Sequence, residues 1–433
     1  MKKYILTTLT LLLFLYTGTA QQTPAGAQTE SILIIGATLH IGNGEIINNG
    51  ALGFSEGRIN YVGPAANADS SSYARIMDAS GKHVYPGFIG MNTSLGLVEI
   101  DAVRATDDED EIGGMIPHIR SQIAYNAESK VVESVRPNGI LLAQVAPRGG
   151  RISGTSSIMQ LDAWNWEDAT LQKDDGIHMN WPATYKRGRW WMGEDPSLKP
   201  NKDYVKEVQE IKDFITEAKA YLAGDQKPKN LPYEAVSGLF DGTQKLYIKA
   251  NDAKQMIEAV NFATSAGIKN IVIIGGNEAH LVTDLLSKYK VAVLLSRPHR
   301  LPSSEDDDVK HPFMLAKLLD EKGILTGIEM SGQMERMNTR NLPFYAGTFA
   351  AYGLDKEKAV RLITQNAAQI AGISDRVGTL ETGKHATLFV SEGDALDMRT
   401  NQLYHAFIEG REISLETHQT ELWKRYSKKY ESD

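Results

Sequence analysis

The chain contains no cysteine, and this absence excludes several kinds of chemistry at the outset. Without thiols the protein can form no disulfide, bind no metal through thiolates, use no thiol nucleophile and carry no lipid on an N-terminal cysteine. Its 10 histidines are also widely spaced, with no His-x-His or His-x-x-x-His pair anywhere in the sequence. Because zinc takes three or four nitrogen, oxygen or sulfur ligands, a zinc site would have to be assembled from distant segments.

Acidic residues outnumber basic residues, which gives a formal net charge of −8. This net negative charge argues against a nucleic-acid partner. The first residues combine Lys2 and Lys3 with an apolar run over residues 4–16 and small residues up to Ala20. Such a stretch is typical of a cleaved signal peptide and is too short to span a membrane. We therefore expect removal of residues 1–20 and a periplasmic or secreted protein without a membrane span.

What the sequence does contain is a β-rich segment near each end. Residues 31–84 and 377–416 consist of short β-prone runs separated by turn sequences such as Asn-Asn-Gly and Glu-Gly-Arg, a pattern that predicts hairpins. Between them, apolar runs alternate with amphipathic helical patterns, which indicates βα units and a parallel sheet. We expect strands within residues 140–147, 245–251, 270–276, 291–296 and 323–330, and helices within 252–267, 278–290 and 310–323.

Residues from about 148 to 231 interrupt this alternation and are predicted to be an insertion. Residues 417–433 are predicted to form a C-terminal helix. The insertion contains five of the six tryptophans: Trp164, Trp166, Trp181, Trp190 and Trp191. Tryptophan is enriched where proteins bind ligands or partners, but it also forms small cores. Both roles remain open at this stage.

Several motifs of the chain resemble the amidohydrolase superfamily, most closely its imidazolonepropionase-like branch. The similarity covers nearly all of the chain after residue 20. It is carried by ILIIGATLHIGNGEIINNG near the start, YPGFIG, APRGGRISGTSS, GGNEAH, RNLPFYAGTFAAYGL and QNAAQIAGISDRVGTLETGKHATL. The last motif is the most specific, because a helix, a sharp turn and a Gly-Lys followed by a returning strand recur together in that family.

The resemblance implies a (β/α)8 TIM-type barrel over residues 85–376 and a small β-sandwich formed jointly by the N- and C-terminal segments. In that family one or two divalent metals lie at the C-terminal mouth of the barrel, bound by a His-x-His on the first strand, histidines on the fifth and sixth, and an aspartate on the eighth. Here the first-strand positions hold Asn92 and Ser94, and the fifth-strand positions hold Lys249 and Asn251. Glu329 is the best match to the aspartate.

Further candidates at the barrel mouth are His178, which loosely matches a fourth-strand position that holds a lysine in relatives, together with Arg297 and His299. Lys249 and Glu329 are the candidate catalytic residues. A lysine at a strand end can act as a base or form a Schiff base if burial lowers its pKa. More often such a lysine neutralises a carboxylate, and we expect Lys249 to pair with Glu329.

Because Asn92, Ser94 and Asn251 are poor transition-metal ligands, no metal residues are assigned and no cofactor is expected, although active relatives use zinc or another divalent metal. The preferred function is a non-catalytic binding or partner subunit, whose partner is a small-molecule ligand or an active amidohydrolase. A homo- or hetero-oligomer is compatible with this function. The alternative is an active hydrolase of C–N bonds in cyclic amides, with an unusual metal site or none.

Overall fold

The computed structural model describes residues 23–302, 306–332 and 335–430, and the predicted signal peptide therefore lies outside the described residues. Its strands in chain order are β1 (Ile32–His40), β2 (Ile46–Ser55), β3 (Arg58–Pro64), β4 (Arg75–Asp78), β5 (His83–Pro86), β6 (Phe88–Thr93), β7 (Ile140–Val145), β8 (Ile152–Gln160), β9 (Thr170–Asn180), β10 (Tyr185–Arg187), β11 (Leu198–Pro200), β12 (Lys245–Ala250), β13 (Ile271–Gly275), β14 (Ala292–Leu295), β15 (Thr326–Ile328), β16 (Leu388–Ser391), β17 (Leu403–Ile408) and β18 (Arg411–Glu412).

The α-helices of the described residues are α1 (Ser121–Ala124), α2 (Lys130–Val135), α3 (Trp166–Ala169), α4 (Tyr204–Ala223), α5 (Leu231–Ala235), α6 (Ser237–Asp241), α7 (Ala253–Ser265), α8 (Thr283–Lys288), α9 (His311–Asp320), α10 (Glu335–Asn338), α11 (Leu342–Ala351), α12 (Lys356–Leu362), α13 (Gln365–Ala371) and α14 (His418–Ser427). None of the helices in these ranges is long and apolar enough to cross a membrane. The predicted helices in the middle of the chain correspond to α7, α8 and α9.

Strands from both ends of the chain form one sheet, in the order β18-β17-β16-β5-β1-β2-β3, with β4 also paired to β1. The two ends meet where β16 pairs antiparallel with β5. The predicted Glu-Gly turn joins β2 to β3, and both turn residues have positive φ, as the tightest hairpins require. Apolar side chains from the two ends, such as Leu52, Leu388 and Phe407, share one core, which confirms the joint β-rich domain.

The middle of the chain forms an eight-stranded sheet in the order β6-β7-β8-β9-β12-β13-β14-β15. A bridge between Met91 and Glu329 joins β6 to the end of β15 and closes the sheet into a barrel. Apolar side chains such as Leu142, Val272 and Leu294 fill the barrel interior, as in other barrels of this size. The predicted barrel is therefore confirmed, with one difference: β8 runs antiparallel to both of its neighbours, β7 and β9.

The predicted insertion at about 148–231 needs correction, because β8 and β9 lie within it and belong to the barrel wall. The sequence of β8 contains a run of glycine, serine and threonine in place of an apolar pattern, since several of its side chains join a polar network inside the barrel. Only the residues after Asn180 leave the wall. They form the β10–β11 hairpin and then helix α4, which packs on the barrel through buried residues such as Ile211 and Ile215.

Candidate functional site

The carboxyl ends of the barrel strands surround a cavity of about 470 Å³. The charged and larger polar side chains that line it are Asn92, Asp101, Glu109, Arg148, His178, Asn180, Lys249 and Arg336. Asn92 ends the first barrel strand, β6, while His178 and Lys249 lie on the fourth and fifth strands, β9 and β12. This cavity is the place where the resemblance to the amidohydrolases puts the metal centre.

Asn92 is held at the base of the cavity in a left-handed backbone conformation, with φ 51°, which asparagine tolerates better than most residues. Its side-chain oxygen accepts a hydrogen bond of 3.0 Å from Arg148 Nη1, and its backbone carbonyl accepts one of 2.9 Å from Nη2. Its amide donates to Glu329 Oε2 at 3.3 Å. A guanidinium group thus occupies the first-strand ligand position together with Asn92.

Glu329 directly follows β15, the eighth barrel strand, and is buried. One carboxylate oxygen accepts from Ser296 Oγ at 2.8 Å, and the other accepts from the Ser331 backbone N–H and from Asn92. The pairing that we expected between Glu329 and Lys249 is wrong, because these three donors satisfy the carboxylate. Arg148, which bonds the same Asn92, interacts electrostatically with Glu329.

Lys249 is exposed to the cavity and forms no ion pair with any described residue. His178 is buried, and its ring stacks on Tyr247 with a centroid separation of 4.7 Å. Burial, and secondarily the positive charge of Arg148, lower the pKa of His178 to about 3, so the ring is neutral at physiological pH. Its Nε2 atom is enclosed without a hydrogen-bond partner in the described part of the chain.

A polar network below the cavity was missed by the sequence analysis. The carboxylate of Asp175 accepts hydrogen bonds from Gln144 Nε2 at 2.7 Å, Ser156 Oγ at 2.8 Å and the Tyr247 hydroxyl at 2.9 Å. Burial raises the pKa of Asp175 above its ordinary value, although these three hydrogen bonds oppose the shift. Gln144 Oε1 in turn accepts from the Asn92 N–H, so the network supports the base of the cavity.

The remaining predicted site residues do not converge on the cavity. Ser94 is buried beside β6 but is not part of the lining, because the left-handed turn at Asn92 ends the regular alternation of the strand. Asn251 follows the last residue of β12 and does not line the cavity; its backbone N–H donates to Gln255 Oε1. Arg297 and His299 are exposed beyond β14, and His299 contacts Thr348 on helix α11 instead.

The donor set does not fit a catalytic divalent metal. In the ranges that the structure describes, no group of three or more histidine, aspartate or glutamate side chains is arranged to hold a metal ion. The good ligands at the mouth are His178 and three carboxylates, but Glu329 already accepts three hydrogen bonds, and Asp101 and Glu109 are paired with Arg336. The guanidinium of Arg148 lies on Asn92, where it would repel a dication.

Two of the five tryptophans of the predicted insertion belong to the core, Trp181 and the partly buried Trp166, and the other three are exposed. Trp181 is buried and donates to the Tyr204 hydroxyl at 3.1 Å, so it belongs to the core beneath α4. Trp164 is exposed at the surface. Trp190 and Trp191 are exposed at the end of the β10–β11 hairpin, with an edge-to-face contact between their rings. None of them lines the cavity at the barrel mouth.

Comparison with solved structures supports this architecture. An amidohydrolase from Thermotoga maritima is 21% identical, with a TM-score of 0.75, and the match covers 88% of this chain and 99% of that one. A putative prolidase from Bifidobacterium longum (14% identity, TM-score 0.52, 89% and 95% covered) and a zinc-bound adenosine deaminase from Xanthomonas campestris (14%, 0.52, 92% and 97%) are also similar. At these identities the likeness establishes the fold.

Sequence comparison establishes the family. No curated protein sequence is significantly similar to this chain. The amidohydrolase family model, however, matches residues 199–414, from the region before α4 to the end of the joint β-rich domain. With the fold and the strand-end geometry described above, this match places the chain in the amidohydrolase superfamily.

Proposed function

We propose that the protein is a non-catalytic member of the superfamily that binds a small molecule in the barrel mouth. The family reaction is the hydrolysis of C–N bonds by a metal-activated water molecule. A metal lowers the pKa of bound water from 15.7 to about 7, which corresponds to roughly 12 kcal/mol at about 1.4 kcal/mol per pKa unit. No side chain of the cavity offers a comparable activation of water.

The observation that carries this proposal is the position of Arg148. Its guanidinium forms two hydrogen bonds to Asn92 at the first-strand ligand position, and Glu329 lies on the other side of that asparagine. A permanent positive charge, fixed to the protein, therefore lies where active relatives bind a metal ion. The cavity itself is still open and large enough for a small molecule.

The metal content of the native protein tests this proposal. Protein purified without chelator should contain well under one equivalent of zinc, manganese or iron per chain, because Asn92 is a poor ligand and Arg148 repels cations. Elemental analysis by mass spectrometry measures this directly. The same preparation should not hydrolyse N-acetyl amino acids or dipeptides, with or without added zinc.

The matched control for the metal measurement is Glu329→Gln, which removes the strongest ligand of the mouth and changes few atoms. Stoichiometric metal in the native protein that disappears in Glu329→Gln would overturn the proposal and support the alternative of an active C–N hydrolase. Stoichiometric metal that is unchanged in the variant is not held by Glu329, but it too would contradict the expected low metal content.

Export is a separate part of the proposal. It rests on the charged, apolar and small-residue pattern of residues 1–20. N-terminal sequencing of protein from the native host should begin at or near Gln21. A sequence that starts at Met1 would contradict export. An active amidohydrolase as partner stays a prediction.

A further inference from the structure

A hairpin arm extends from the barrel at residues 185–200, where β10 and β11 pair with each other. Every residue from 189 to 200 is exposed. The large apolar side chains of the arm, all of them exposed, are Tyr185, Trp190, Trp191, Met192 and Leu198. An isolated two-stranded hairpin is at best marginally stable in water, and clustered exposed apolar side chains mark a contact surface. The arm therefore has the character of a surface that binds another molecule.

The arm is basic as well as aromatic. Its sequence contains four basic and two acidic residues. Both acids are paired within the arm, Glu194 with Arg189 at 2.7 Å and Asp195 with Lys199 at 2.9 Å. Arg187 forms no ion pair with any described residue. Tryptophan, methionine and arginine are residue types that are enriched at protein–protein interfaces, so the composition favours a protein partner.

A groove of about 690 Å³ next to the arm has the complementary character. Its apolar part consists of Met115 and Phe214, both packed against the core of the barrel. Its acidic part consists of Glu210, Asp213 and Glu217, which lie three and four residues apart on one face of helix α4. None of these three carboxylates forms an ion pair within the described residues. The groove therefore suits a partner that is apolar and positively charged.

Glu207 places the arm and the groove side by side on one face of the molecule. Its Oε1 atom pairs with Lys186 Nζ of the arm at 3.1 Å and with Arg151 Nη2 at 2.9 Å. Arg151 lines the groove, so its positive charge is already used by Glu207. The arm does not fill the groove of its own chain, because its residues are exposed and are not part of the lining.

We propose that two copies of this chain form a two-fold dimer, in which the arm of each copy lies in the groove of the other. Trp190, Trp191 and Met192 cover the apolar part of the groove, and Arg187 faces the acids of α4. A two-fold axis brings each of two neighbouring patches onto the other patch of the second copy. One chain supplies both complementary surfaces, which makes a second copy the partner that fits them together.

The size of the contact is also consistent with a dimer. A stable interface buries about 800 Å² on each partner, and each chain contributes both an arm and a groove. The surface lies outside the cavity at the barrel mouth, so this inference is independent of the proposed function.

Sedimentation-velocity ultracentrifugation of the native protein over a dilution series tests the dimer. The wild type should sediment as a dimer and dissociate on dilution. Replacing both arm tryptophans, in Trp190→Ser with Trp191→Ser, should raise the dissociation constant at least about tenfold. The circular dichroism spectrum should keep its native shape, because both side chains are exposed. The matched control is Trp423→Ser with Tyr426→Ser, which removes two similarly exposed aromatic side chains from α14 and should leave the dissociation constant unchanged.

A charge exchange tests the contact between the arm and the groove. Arg187→Glu and Asp213→Arg should each weaken the dimer, because each variant brings like charges together. The two substitutions in one chain should restore an attractive pair, so that this variant dimerises more tightly than either single variant. Three results would overturn the inference: the wild type is a monomer throughout the dilution series, the tryptophan variant dimerises as tightly as its control, or the combined charge variant is no tighter than the single ones.

Discussion

Replacing Asp162 with alanine should lower the free energy of unfolding by about 3–5 kcal/mol, the usual cost of removing one partner from a buried ion pair. Asp162 is buried between two arginines: its Oδ1 atom accepts from Arg136 Nη1 at 2.8 Å, and Oδ2 accepts from Arg411 Nη1 at 3.0 Å. Without the carboxylate, the guanidinium of Arg136 would remain buried and would lose this ion pair. Urea denaturation followed by circular dichroism measures the change.

The contacts of Asp162 explain why the effect should be large. Asp162 lies two residues after the barrel strand β8, Arg411 begins β18 in the joint β-rich domain, and the backbone N–H of Ala25 donates to the same carboxylate at 2.9 Å. The substitution therefore loosens the N-terminal segment and the contact between the domains together. Asp397→Ala provides the matched control, because Asp397 pairs with an exposed Arg399 and its loss should change the curve little. Equal effects of the two substitutions would show that the buried pair contributes no more than the surface pair.

Those parts of the fold that have a local sequence pattern were largely predictable. The Glu-Gly turn between β2 and β3 and the alternating runs around it indicate hairpins, because glycine and the residue before it adopt positive φ there. The helix at residues 204–223 follows from its apolar stripe. Strand β8 was missed, because Ser156 points at Asp175 inside the barrel. A strand that places polar side chains in the interior has no hydrophobic alternation to detect.

The candidate site was predictable only in part. The strand ends that carry Asn92, His178, Lys249 and Glu329 came from the resemblance, and three of these four side chains line the cavity while Glu329 lies directly behind Asn92. Arg148 was missed, although its segment APRGGRISGTSS is one of the motifs that carry the resemblance. The direction in which a loop side chain points depends on tertiary contacts, here the hydrogen bonds to Asn92, and no local pattern encodes them.

Replacing Arg148 with methionine should lower the free energy of unfolding by about 2 kcal/mol. The substitution removes two charge-assisted hydrogen bonds to Asn92, each worth about 1.5–3 kcal/mol, and removes a cation that interacts with the buried Glu329. The expected loss is smaller than the sum, because Arg148 is partly exposed to the cavity and the cavity water can solvate what remains. Urea denaturation again provides the measurement. Arg148→Lys, which keeps the charge but cannot form both bonds to Asn92, should fall between the wild type and Arg148→Met.

A double-mutant cycle with Glu329→Gln separates the charge of Arg148 from its packing. If Arg148 is a fixed cation that replaces a metal ion, its removal should cost at least about 1 kcal/mol less once Glu329 is neutral, because the two residues then no longer interact as charges. The glutamine keeps the volume. Its Oε1 atom can accept from the Ser331 N–H and Asn92 while its Nε2 atom donates to the Ser296 hydroxyl oxygen, so the change reports mainly the loss of charge. An identical cost of Arg148→Met in both backgrounds would mean that the guanidinium only fills space beside Asn92. The position of Arg148 would then say nothing about how this barrel lost the metal of its relatives, and the proposed non-catalytic role would rest on the poor ligands alone.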